Sequence, residues 1–119
     1  MAAEVRPFTR LIGLEVEDAA RYAEYRARMT PILHAHGGAF GVDLEVSRVL
    51  KGPPGAALNR VFSLEFPSRA ACDRFFADAS YLAVRGEWFE PAVRHVVRLG
   101  EWPEAAASAG TADVPGGAD

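Results

Sequence analysis

The chain has 119 residues, 50% of them apolar and 24% charged, which is the composition of one globular domain able to bury a core without disulfides or metals. The net charge of −3 comes from the last 17 residues, which hold Glu104, Asp113, Asp119 and no Lys or Arg, leaving a neutral body with no basic excess for nucleic acid. No apolar run approaches the roughly 20 residues that cross a bilayer and Met1 to Arg10 lacks a signal-peptide core, so the expectation is a cytoplasmic protein with no membrane partner.

In chain order, residues 1–8 read as a short leader in which Phe8 can tuck against the body. Thr9 to Glu17 alternates, with Ile12, Leu14 and Val16 on one side and Gly13, Glu15 and Glu17 on the other, the pattern of a half-buried strand. Asp18 then caps a helix whose apolar stripe is Ala19, Tyr22, Tyr25 or Arg26, Met29, Leu33 and His36. Pro31 predicts a kink or break near Thr30, and Gly37–Gly38 predicts the stop.

A second strand is expected over 39–51, with Phe40, Val42 and Leu44 opposite Asp43 and Glu45. The loop GPPGAAL at 52–58 leads to a third strand over 59–66 that presents Phe62, Leu64 and Phe66 on one side. Ser68 can cap a second helix over 69–78, with Cys72, Phe75, Phe76 and Ala79 on one face. Cys72, the single cysteine, permits no internal disulfide or zinc spacing and reads as a small buried hydrophobe. Residues 80–92 read as a helical turn and a connection, and 93–102 as a fourth strand. Residues 103–119, rich in Ala, Gly and Pro, have little to bury against their ordering entropy and read as a disordered acidic tail.

The order β-α-β-β-α-β predicts an α+β, ferredoxin-like domain over 9–102, an antiparallel sheet with two helices on one face. The other sheet face then needs cover, and a second copy of the sheet is the usual cover, so a homodimer is expected. Asp18, Tyr22–Tyr25, Gly37–Gly38, the run LEFPS at 64–68 and Tyr81 within FFADASYLAVR together resemble the bacterial family called domain of unknown function 1330, of the dimeric α+β barrel superfamily. The resemblance implies a ferredoxin-like protomer that dimerises through its sheet. It implies no activity, since the superfamily ranges from cofactor-independent monooxygenases and isomerases to haem enzymes and effector-binding regulators.

Two mouths follow from the topology. One gathers His34 and His36 at the helix end with Asp43 and Glu65, where a histidine beside a carboxylate suits a general base. The two histidines diverge by ~200° on a helix and also serve, more simply, as cations at its negative end. Glu65, on a central strand, is either paired at an interface or poised as a base in a dry pocket. The other mouth gathers Arg48 and Arg60, which suit a substrate carboxylate with Tyr22 or Tyr25 as hydroxyl donor, or else snorkel and pair with Glu17 and Glu45. Trp88 and Phe89 are expected to line a pocket. Neither metal-ligand spacing, a phosphate loop nor a nucleophile elbow is present, so no metal or cofactor is expected. The functional expectation is a small carboxylate or aromatic ligand held between sheet and helices, in a cofactor-independent oxygenase or isomerase or in a non-catalytic binding or assembly module.

Overall fold

The computed structural model describes residues 6–103. Most of the expected leader and all but Pro103 of the expected tail lie outside that range. Strands β1 (Phe8–Val16), β2 (Ala39–Glu45), β3 (Arg60–Phe66) and β4 (Val93–Trp102) form one antiparallel sheet in the order β2-β3-β1-β4. Helices α1 (Ala19–Ala35), α2 (Arg69–Ala77) and α3 (Ala79–Val84) pack on one face, and a π-helical turn at Arg85–Phe89 returns the chain to β4. This is the ferredoxin-like arrangement. No described helix is long and apolar enough to cross a membrane.

The caps follow the local chemistry. The Asp18 carboxylate accepts from the Arg21 amide at 3.0 Å and starts α1, while Ser68 Oγ accepts from the Ala71 amide at 3.1 Å and starts α2. Gly37 takes φ of +80° just after α1, and the amides of Gly37 and Gly38 close back on the carbonyls of His34 and Leu33. That pattern satisfies the last-turn acceptors and needs a residue without a Cβ at position 37. Of the kink or break expected near Thr30, the break does not occur, and helix α1 runs on through Pro31. Pro31 and Ala27 lie on the exposed side, where the carbonyl that loses its amide partner meets water, and the buried Met29 and Leu33 hold both halves to the core.

The core is the inner sheet face, Phe8, Ile12, Leu14, Phe62, Leu64 and Phe66, packed on Tyr22, Tyr25, Met29, Leu33, Cys72, Phe75 and Tyr81. Cys72 is buried there, and burial pushes its thiol up to about 11.

Strand β2 departs from the simple alternation in two ways. It ends at Glu45, so that 46–59 is a loop, pinned by the Asn59 side chain to both the amide and the carbonyl of Val16. It also carries one extra residue opposite Ser63, because the pairing passes from Phe40↔Leu64 to Asp43↔Phe62. This bulge inverts the facing of the rest of the strand. Asp43 turns inward, and Val42 and Leu44, expected beside Phe40, stand exposed on the outer face.

Candidate site: a donor-lined cavity between sheet and helices

The register that builds the core also builds a cavity. Two inner rows cross the sheet, Phe40–Leu64–Arg10–Glu101 and Asp43–Phe62–Ile12–Arg98, and both carry an arginine on strand positions otherwise occupied by large apolar groups. Above them lie Tyr25, Arg26 and Met29 of α1, Phe76 of α2, Tyr81 of α3 and Arg85 and Phe89 of the π turn. The space enclosed is about 250 Å³. Val96, on the inner side of the edge strand β4, is 52% exposed, so the cavity opens along that edge.

Its polar side chains are guanidiniums and phenols. Tyr25 and Tyr81 share a hydrogen bond at 2.9 Å, and since one hydroxyl donates to the other, one phenolic proton is left over. Arg85 Nε is buried without a hydrogen-bond acceptor among the described residues, its nearest carboxylate oxygen, on Glu90, standing at 3.7 Å. Arg10 is 8% exposed, lies near the rings of Phe8 and Phe76, and gives Nε to Glu101 at 3.0 Å. Arg98 completes the set. The lining holds no carboxylate, imidazole or thiol among the described residues. Burial pushes the phenols of Tyr25 and Tyr81 up, so both stay protonated donors through the neutral range.

Arg26 and Phe40 separate this cavity from a second recess lined by Tyr22, Asp43 and Arg60. Arg26 stacks on Phe40 at 3.9 Å and bonds Asp43, and Arg60 binds the same carboxylate through Nε at 3.0 Å and a terminal nitrogen at 3.1 Å. Burial raises the Asp43 carboxyl, but the hydrogen bonds from Arg60 and Arg26 outweigh it and hold the group below its usual range. Tyr22 is pushed up to about 12, chiefly by burial.

Of the residues singled out from the sequence, Tyr25 lines the cavity and Tyr22 and Arg60 line the recess. The others are dispersed. Glu65 stands exposed on the outer sheet face in the row Ala39–Glu65–Thr9–Trp102, away from the cavity floor. His34 is exposed near the end of α1, and His36 caps that helix and meets the Asp78 carboxylate at 2.9 Å. Asp78, also bonded by the Ser80 hydroxyl and the amides that open α3, sits well below the usual carboxylate range. Arg48 is exposed in the 46–59 loop. Trp88 lies under Arg28 and Arg21 at 4.5 and 5.7 Å, while its neighbour Phe89 turns inward. Asp43, expected near the histidines, is held by Arg26 and Arg60 because the bulge turns it inward. Arg10, Arg85, Arg98 and Tyr81 were not among the residues expected at the site. Arg10 alone had a legible signal, sharing the parity of Phe8, Ile12 and Leu14.

The family described as Domain of unknown function (DUF1330) matches the chain over residues 11–98. No curated protein matches it. Among solved structures it is similar to a protein of unknown function from Rhodopseudomonas palustris, with 20% identity, a TM-score of 0.71 and coverage of 86% of this chain and 85% of that one. A dabb family protein with a ferredoxin-like fold from Mesorhizobium loti is similar at 17% identity and a TM-score of 0.60, over 83% of this chain and 97% of that one. The hydroxynitrile lyase of Passiflora edulis is similar at 14% identity and a TM-score of 0.55, over 83% and 94%. At these identities the likeness establishes the fold and does not carry an activity across.

Proposed function

We propose that this chain, which belongs to the domain of unknown function 1330 family, binds a small organic anion with an apolar or aromatic body in the cavity between sheet and helices, and does so as a homodimer. The observation that carries the binding is the polar lining of guanidiniums and phenols without a carboxylate, above all the buried Arg85 Nε beside the Tyr25–Tyr81 pair. A buried donor without an acceptor costs about 1–3 kcal/mol, and a ligand oxygen removes that cost. Guanidinium groups and phenols pair with acceptors such as carboxylate, and the apolar remainder, Ile12, Leu14, Met29, Phe62, Leu64 and Phe89, suits a hydrocarbon or ring.

The same lining bears on chemistry. A step that begins with proton abstraction needs a base, and the cavity offers groups that give protons or hold negative charge. This supports a binding role, or a reaction in which the site stabilises an oxyanion. The dimer is supported by the outer sheet face, where Val42, Leu44, Leu99 and Trp102 stand exposed. Such a face is covered by packing on a second sheet.

Calorimetric titration with benzoate, benzamide and benzylamine tests the reading. Saturable binding of benzoate, with weaker binding of the amide and none of the amine, is expected. Equal binding of all three, or of none, overturns it.

A further inference from the structure

We infer that one corner of this cavity selects a doubly charged head group, so that the ligand is an apolar-bodied dianion and not a simple monocarboxylate. The inference rests on the reading of the cavity as an anion site, and its evidence is a cluster separate from Arg85 and the tyrosines.

Three arginines converge on one carboxylate. Glu101 Oε2 takes Arg10 Nε at 3.0 Å and Arg98 Nη1 at 3.1 Å, and its Oε1 takes Arg69 Nη2 at 3.2 Å. Register explains the convergence: Arg10 pairs directly with Glu101 across β1–β4, and Arg98 stands one row on, with a bulge at Leu99 between them on β4. Glu101 neutralises one of the three cations, and the cluster as a whole keeps a surplus of two positive charges, with Arg69 on its outer side and Arg10 and Arg98 on the cavity side.

Two of the three arginines, Arg10 and Arg98, line the cavity, while Arg69 does not. The Arg10 side chain is 10% exposed and, among the described residues, bonds protein only through Nε, so its terminal nitrogens are available on the cavity side. Paired arginines favour oxyanions that accept several hydrogen bonds at once. A phosphoryl group or two adjacent carboxylates supply both the charge and the acceptors. Benzene-sized bodies beyond the head group meet Ile12, Leu64 and Phe76.

The test is titration calorimetry of the intact chain with four probes: phenylphosphonate, its monomethyl ester, phthalate and benzoate. The second charge should be worth about ten-fold or more, the scale of one charge-assisted hydrogen bond. Phenylphosphonate is therefore expected to bind at least that much more tightly than its monoanionic ester, and a matching gap between phthalate and benzoate would assign the head group to dicarboxylates as well. Arg98→Met should shrink the gap to within about two-fold, the loss expected when one of the two cavity-lining cations of the cluster goes. Its melting temperature should stay near that of the parent, because Arg98 is largely exposed and Glu101 keeps two partners. Equal affinity for phenylphosphonate and its ester, with benzoate bound, overturns the dianion inference and leaves the anion site standing. Failure of all four probes to bind overturns both.

Discussion

The hydroxyls of Tyr25 and Tyr81 meet at 2.9 Å inside a cavity whose other polar groups are guanidiniums. Burial pushes the phenols of all three tyrosines up from their ordinary value of 10.0, Tyr22 to about 12. Absorbance at 295 nm should therefore show less phenolate in the folded protein at pH 10.5 than in the urea-unfolded chain, where all three tyrosines ionise from their ordinary value. The linkage has a definite sign. The folded state keeps these protons above pH 10 while the unfolded chain loses them, so their stabilising contribution is complete below pH 10 and falls as pH rises beyond it. Equal phenolate in the folded and unfolded chains at pH 10.5 would refute the buried pair.

Replacing Tyr81 by Phe leaves the Tyr25 hydroxyl without its partner and removes one donor from the cavity. The expected cost is about 1 kcal/mol in a urea unfolding curve, with a several-fold loss of benzoate affinity. Unchanged affinity would mean that the leftover phenolic proton does not reach the ligand.

Asp43 joins α1 to the sheet by holding Arg26 and Arg60 together. Asp43→Ala should cost about 1–2 kcal/mol, less than fully buried charged bonds would give because the carboxylate is partly exposed. Its folded pKa lies below the ordinary 3.8, so the stabilisation is present above that value and is lost as pH falls through the lower folded one. Denaturant midpoints of parent and variant should accordingly converge as the solution is taken below pH 4.

Leu44 is 52% exposed on the sheet face opposite the helices, in the row Leu44–Val61–Gly13–Val97. Sedimentation should find a dimer at micromolar concentration and a folded monomer for Leu44→Glu, since a carboxylate buried between two sheets has nothing to pair with. A parent chain that sediments as a monomer would exclude the sheet-to-sheet interface.

The architecture was legible in the sequence because its signals are local. Alternation in β1 and β3, the caps at Asp18 and Ser68 and the Gly37 stop each report on a few adjacent residues. The site was much less legible, for two physical reasons. The bulge in β2 leaves the run Phe40, Val42, Leu44 looking regular while it reverses the facing of everything after Gly41, which misplaced Asp43. The cavity's own groups come from β1, β4, α3 and the π turn, and nothing in the spacing of Arg10, Tyr81, Arg85 and Arg98 announces that register and packing bring them together. Glu65, by contrast, was read on the correct strand, and the sheet places it on the outer face, where the alternative of an interface residue had put it.

The central claim is that an organic anion enters the cavity and takes the Arg85 donor. The most direct measurement is the arginine Nε–H region of a nitrogen–proton correlation spectrum during titration with benzoate, assigned with Arg85→Met. Saturable movement of the Arg85 Nε–H signal, together with loss of benzoate affinity in Arg85→Met, is the predicted result. An Arg85 signal that stays still while exposed arginines such as Arg48 and Arg94 shift linearly with salt would contradict it.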